Sequence, residues 1–163
     1  MFIRINNLRR MIDNATILAE CENLVAIGET FKLHIRGHSM LPLLGRGRDT
    51  VIVRRTSIDE PLEVGRIALF RAHDRHLVAH RIRRIEDDRI TMQGDGNPVA
   101  TELCSRRDII GVIEAVERES GKVVSCTSAK WRRKERLWLS MPFVVRRYTL
   151  AVMRRWLNRK TKR

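Results

Sequence analysis

The sequence predicts a mainly β protein that carries helices at both ends. From residue 31 to residue 126, short apolar or β-branched runs alternate with Gly, Pro, Asp and Asn, as in β-barrels and β-sandwiches. On either side of this region, apolar residues recur every three or four positions, which is typical of helices. The predicted units are a helical N-terminal segment over 1–29, a β domain over 30–128 and a helical tail over 129–163.

The first helix is predicted over residues 6–27, with Asn7 as a candidate cap and Gly28 as its end. After Gly28 the period changes to two, because Phe31, Leu33 and Ile35 alternate with polar residues. This alternation predicts a half-buried strand over 31–36. Further strands are predicted over 50–55, 63–71, 77–85, 89–93, 108–116 and 122–126.

The positive charge of the chain is concentrated in its last 35 residues. Residues 1–128 carry 20 Lys/Arg and 18 Asp/Glu, whereas residues 129–163 carry 13 Lys/Arg and one acid, Glu135. The β domain is therefore nearly neutral, and Ala129 is the best candidate boundary. A neutral body without a preceding helix-turn-helix argues against nucleic acid as a partner.

The tail is predicted to hold a basic amphipathic helix. Arg147 and Arg154 lie a heptad apart and have Arg146, Arg155 and Arg159 as neighbours. Such a helix suits the surface of an anionic membrane, and the alternative is a helix whose apolar side packs on the β domain. The apolar residues that recur at spacings of three and four are Met141, Val145, Tyr148, Val152 and Trp156.

The cysteines and histidines give no signal for a disulfide or a metal site. Cys21, Cys104 and Cys126 are an odd number without C-x-x-C spacing, so we expect reduced thiols in a cytoplasmic protein. The histidines lack the spacing of a metal-binding helix, and we predict neither a metal nor another cofactor.

No stretch approaches the ~20 apolar residues of a membrane span. Membrane attachment, where present, is thus expected to be peripheral, on the inner membrane.

Three polar residues stand out in the β domain. Ser39 lies in the run G-H-S-M-L-P, and if the chain stays extended beyond the strand it shares a face with the core residues. His80 is the polar member of the face that it forms with Val78 and Ile82. Asp95 lies in M-Q-G-D-G-N-P, a strong turn signal. Each also has a plain structural interpretation: a turn serine, a satisfied core histidine and a turn aspartate.

Together these segments resemble the signal peptidase I superfamily, and more narrowly the branch found in the endoplasmic reticulum, archaea and spore-forming bacteria. That branch has His where the ordinary bacterial enzymes have Lys. The LexA-like self-cleaving repressors share the fold but use a lysine base, and this chain has no Lys between Lys32 and Lys122. The matching segments are GHSMLP at 37–42, DTV at 49–51, VGRIALF at 64–70, VAHRI at 78–82 and GDGN at 94–97.

The resemblance implies a signal-peptidase-like or LexA-like β-barrel or sandwich with a serine peptidase site. Ser39 would be the nucleophile and His80 the general base. Asp95 would orient His80, although Glu102 is an alternative for that role. Met40 and Pro42, from the motif that holds Ser39, are the predicted substrate-binding residues. Gly37 stands where relatives often have a second serine, so the oxyanion would be bound by backbone N–H groups such as that of Ser39.

These features predict a serine endopeptidase that hydrolyses an extended peptide bound by strand addition. Signal peptidases carry a membrane-spanning anchor, and none is expected here, so a dedicated peptide is the expected substrate. The alternative is a catalytically inactive module of the same fold that binds peptides or has a regulatory role.

Overall fold

The computed structural model describes residues 2–5, 8–11, 25–35, 37–45, 49–73 and 76–161. In these residues ten antiparallel strands form one sheet, followed by two helices, which confirms the predicted mainly β fold with C-terminal helices. The strands are β1 Phe2–Ile5, β2 Leu8–Met11, β3 Thr30–His34, β4 Thr50–Arg55, β5 Ile67–Arg71, β6 Leu77–Glu86, β7 Arg89–Gln93, β8 Glu102–Ser105, β9 Ile109–Glu117 and β10 Val123–Ser125. The helices are α1 Ala129–Ser140 and α2 Phe143–Thr161.

The N-terminal segment differs from the prediction of a helix over residues 6–27. Residues Leu8–Met11 form β2, which pairs with β1, and β1 in turn pairs with β3. Pairing with the sheet overrides the local helical spacing, which is a weak preference by comparison. The rest of the predicted helix, from 12 to 24, lies outside the described residues.

The strand order is β2-β1-β3-β4-β9-β5-β6-β7-β8, with β10 added to β9. Strand β9 lies in the middle and pairs with β4 and β5, and the register shifts once on each side of it. Such irregularities bend a strand and increase its twist. The sheet can thus curve and cover both faces of its central strands.

Strand β5 illustrates how the two main clusters of buried side chains arise. Its residues alternate between them: Ile67 and Leu69 belong to the first cluster, and Ala68 and Phe70 to the second. All four are buried. A strand that is covered on both faces reads as a continuous apolar run, which explains the sequence IALF.

The helices pack on the β domain through a third cluster. Helix α1 begins at Ala129 after Ser128, whose side chain accepts a hydrogen bond from the Trp131 backbone at 3.3 Å. Trp138 of α1 and Leu150 of α2 then bury Leu41 completely. In the described residues, neither helix is long and apolar enough to cross a membrane.

Candidate active site

Ser39 lies in an exposed turn that follows the end of β3. The sequence analysis placed Ser39 on the face of the core residues on the condition that the chain stays extended beyond the strand. That condition is not met, because β3 ends at His34 and Gly37 has a φ of 102°. The backbone N–H of Leu41 then donates to the His38 carbonyl at 3.3 Å. Since Leu41 is fully buried and Ser39 is exposed, the turn holds the serine at the surface of the core.

The turn after β7 lies directly against this serine segment. The Asn97 backbone N–H donates to the Gly94 carbonyl at 2.9 Å, and the Gly96 N–H donates to the Ser39 carbonyl at 2.7 Å. A Cβ at Gly94 would stand 2.5 Å from the Ser39 carbonyl oxygen, and one at Gly96 would collide with the His38 carbonyl. Both glycines are therefore required by the close approach of two backbones.

The side chain of His80, which belongs to β6, lies where the turn after β7 contacts the Ser39 segment. It lies opposite Ala68 of β5, is 6% exposed and has the Phe70 ring at 6.0 Å between centroids. Its Nε2 lies 3.0 Å from the point where a Gly94 Cβ would stand, the same point that is 2.5 Å from the Ser39 carbonyl oxygen. The structure thus brings the predicted serine segment and the predicted histidine together.

Neither ring nitrogen of His80 has a hydrogen-bond partner among the described residues. Burial lowers the pKa of this imidazole below its ordinary value of 6.5, and the carboxylates of Glu102 and then Asp95 oppose that shift. A neutral imidazole with a free lone pair is the form that can accept a proton at neutral pH. A buried polar group without a partner is uncommon and points to a ligand or a reaction.

The two candidate carboxylates have different partners. Glu102, at the start of β8, places Oε1 3.5 Å from Nδ1 of His80. Asp95 instead receives two hydrogen bonds from Arg81, at 2.8 Å from Nε and 2.6 Å from Nη2. Arg81 follows His80 in β6, so the two side chains leave opposite faces of the strand. The geometry therefore places Glu102 at His80 and Asp95 at Arg81.

Arg81 is the site residue that sequence reasoning missed. It is 0% exposed, and Asp95 is 2% exposed. The third guanidinium nitrogen, Nη1, donates to the Gly65 carbonyl and to Glu135 of α1. The VAHRI run offered a signal, because an arginine beside an apolar strand face needs a carboxylate partner when it is buried.

Side chains of both helices donate hydrogen bonds to the backbone of the turn at Asp95 and Gly96. Trp138 Nε1 donates to the Asp95 carbonyl at 3.2 Å, and Arg146 donates to the same oxygen at 3.3 Å. Arg154 donates to the Gly96 carbonyl at 2.6 Å. Two arginines of the predicted basic helix thus bind the turn of the candidate site, and no local sequence signal predicts such long-range contacts.

A cavity of about 230 Å³ opens beside Ser39. Of the two predicted substrate-binding residues, Met40 lies in the wall of this cavity, whereas Pro42 lines a different groove beside α1. The other residues that line the cavity are Leu33, Ile35, Gly37, Gly45, Leu69, Leu77, Val78 and Ala79.

Burial raises the pKa of the Cys104 and Cys126 thiols to about 12, so neither supplies a thiolate nucleophile.

Comparison with known proteins supports the superfamily indicated by the sequence motifs. The profile of the Peptidase S24-like family matches residues 9–124, more than two thirds of the chain. The matched range includes Ser39, His80, Asp95 and Glu102 and ends before α1. No curated protein matches the chain significantly. Because this match covers more than two thirds of the chain, including nearly all of the β domain, the chain belongs to the Peptidase S24-like family.

Proposed function

We propose that the protein is a serine endopeptidase in which Ser39 is the nucleophile and His80 the general base. The observation that carries the proposal is the meeting of the exposed Ser39 turn with a buried, unpartnered His80 nitrogen at Gly94. The Ser39 hydroxyl attacks the peptide carbonyl while His80 Nε2 accepts its proton. His80 then protonates the leaving amine, and water hydrolyses the acyl-enzyme by the same proton route.

Glu102 is the residue we propose for orienting His80. Its Oε1 lies 3.5 Å from Nδ1, close enough to tighten into a hydrogen bond when a substrate excludes water. A carboxylate there fixes the tautomer in which Nε2 carries the lone pair, and it stabilises the imidazolium that forms. The carboxylate of Asp95 is already engaged by Arg81, so its role is to position the turn.

The cavity beside Ser39 suggests which substrates fit. Its walls are mostly aliphatic, and its volume of about 230 Å³ admits one apolar side chain of moderate size. We therefore expect cleavage next to an uncharged apolar residue in an extended peptide, with backbone N–H groups such as that of Ser39 stabilising the oxyanion.

A peptide library with products identified by mass spectrometry tests this proposal. We expect cleavage beside apolar residues by the wild-type protein and none by Ser39→Ala. Ser120→Ala removes a different exposed hydroxyl and serves as the matched control, which should retain full activity. Cleavage that persists in Ser39→Ala would exclude Ser39 as the nucleophile.

A second function, a peptide-binding module without catalysis, is favoured by one observation. His80 makes no hydrogen bond to Ser39 or to any other described residue. In such a module, the cavity would bind the same apolar side chain, but the bound peptide would remain intact. Peptides that are captured equally by the wild type and by Ser39→Ala, with no products from either, would establish this alternative.

A further inference from the structure

Helix α2 presents two different apolar sides. One side packs on the β domain, where Leu150 is buried and Met153 and Leu157 are partly buried in the third cluster. The other is a stripe that faces solvent, and at 3.6 residues per turn its four members fall within an arc of roughly 80°. We call this the α2 stripe: Val145, Tyr148, Val152 and Trp156, which are 46%, 70%, 69% and 53% exposed.

The two helices at the C-terminal end of the chain, one of which carries the α2 stripe, are strongly basic. Residues 129–163 carry 13 Lys/Arg and a single acid. That acid, Glu135, is engaged by the buried Arg81 and does not balance the surface charge. The exposed basic residues of the two helices are Lys130, Arg132, Arg133, Lys134, Arg136, Arg147, Arg154 and Arg155.

We propose that the α2 stripe docks on an anionic membrane surface. Tyr and Trp have apolar rings with polar tips that suit the headgroup region, and aliphatic residues beside them can enter the acyl boundary. The exposed Lys and Arg side chains supply attraction to acidic headgroups. A second copy of this chain is disfavoured as the occupant, because it would bring an equally basic surface to the contact.

The contacts of α2 also connect the docking helix to the candidate active site. Arg154 donates to the Gly96 carbonyl, and the Gly96 N–H donates to the Ser39 carbonyl. A single residue, Gly96, thus links the docking helix to the serine segment, so docking would attach the serine segment to the membrane through α2. Docking itself requires no catalysis and is separate from the proposed peptidase activity.

The test uses the full-length Ser39→Ala protein, so that its result does not depend on peptidase activity. Vesicles of phosphatidylcholine alone are compared with vesicles of equal parts phosphatidylcholine and phosphatidylglycerol, by sedimentation at low and high salt. We expect binding to the anionic vesicles only, weakened by salt. Val152→Asp should reduce binding about tenfold or more. Val64→Asp introduces the same charge at a residue of similar exposure, 61%, and should change binding little.

Trp156 provides an independent readout. It is 53% exposed, whereas Trp131 and Trp138 are 2% and 4% exposed, so a blue shift of emission on adding anionic vesicles should come from Trp156 and vanish in Trp156→Phe. The proposal is overturned if the protein stays in the supernatant at low salt, or if Val152→Asp binds as well as Val64→Asp. It is also overturned if the stripe is found to form a dimer in solution that Val152→Asp dissociates, without vesicle binding.

Discussion

At the scale of single residues, the proposed reaction depends on the protonation state and the contacts of His80. Its ring is buried against Phe70 and lacks a hydrogen-bond partner among the described residues, while Glu102 lies 3.5 Å from Nδ1. Burial lowers its pKa and the carboxylates only partly offset that shift, so the neutral base is the resting form. Because burial disfavours the charged ring, His80 becomes protonated only at acidic pH.

The pH dependence of activity follows from this lowered pKa. We expect kcat/KM to stay constant from neutral pH down to about the unshifted value of 6.5 and to fall only at lower pH, once His80 becomes protonated. A pH–rate profile measures this directly. An acidic limb centred above pH 6.5 would contradict a buried His80 as the base.

Stability should respond to acid in the same range. The unfolded chain binds a proton on His80 at pH values where the native chain does not, so this residue makes the free energy of unfolding decrease as the pH falls below about 6.5. The decrease levels off below the native pKa, and above pH 6.5 the contribution is constant. Denaturant titrations should show a weaker acid dependence in His80→Gln, and an unchanged dependence would contradict this assignment.

The two carboxylates should fail in different ways. Asp95→Asn leaves Arg81 buried with an impaired partner, and the loss of a buried ion pair typically costs about 3–5 kcal/mol of stability. Glu102→Gln, at a half-exposed side chain, should leave the unfolding midpoint unchanged and lower kcat with little change in KM. Thermal melts and kinetics on the two variants separate these roles, and a stable but inactive Asp95→Asn would return the orienting role to Asp95.

Ser39 and His80 should act as one unit. Ser39→Ala and His80→Ala are each expected to lower kcat by at least about 10³-fold, and the double variant should be no worse than either one. Single-turnover assays on a peptide that the wild type cleaves compare Ser39→Ala, His80→Ala and the double variant. Losses that multiply in the double variant would mean that the two residues act independently.

At the scale of elements, a strand could be predicted when the residues that determine it lie within its own segment. Strands that depend on pairing with another part of the chain were missed. Thr50–Arg55 and Arg89–Gln93 form strands over the predicted residues, because their alternation and flanking turn residues lie within the segment. Strand Glu102–Ser105 was not predicted, since its four residues carry little apolar pattern and depend on pairing with β7. The β1–β2 hairpin was missed for the same reason, because β1 pairs with β3, more than twenty residues away.

The turn between β7 and β8 is the element that joins the proposed nucleophile, the proposed base and the two helices. Gly96→Ala would push a methyl group into the His38 carbonyl, so we expect a lower melting temperature and loss of peptidase activity. Asn97→Ala changes an exposed residue of the same turn and serves as the control. If Gly96→Ala melts and cleaves like Asn97→Ala, the turn is not packed against Ser39 as described.

At the scale of the whole molecule, the C-terminal helices complete the β domain. The sequence placed a boundary at Ala129, where α1 begins, but Trp138 and Leu150 bury Leu41, which lies two residues from Ser39. Glu135 also completes the shell of Arg81. The motifs indicated Ser39 and His80 as a pair, whereas the Arg81 contacts span up to 54 residues of sequence and required the folded chain.

Removal of residues 129–163 should therefore destabilise the β domain. The deletion exposes Leu41 and withdraws the donors to the Asp95 and Gly96 carbonyls, so we expect a lower unfolding midpoint and loss of activity. Leu137→Ser, at a residue of α1 that is 61% exposed, should melt like the wild type. A truncated chain as stable and active as the full-length protein would show that the helices are an appendage.

The central claim, that His80 activates Ser39, is tested most directly by acylation. The protein is treated with a serine-reactive fluorophosphonate, and the adduct is located by peptide mass spectrometry. We predict one adduct per chain, on Ser39, absent from Ser39→Ala and slowed by at least about 10³-fold in His80→Ala. Labelling of Ser39 at the same rate in His80→Ala, or no labelling of the wild type at neutral pH, would contradict the claim.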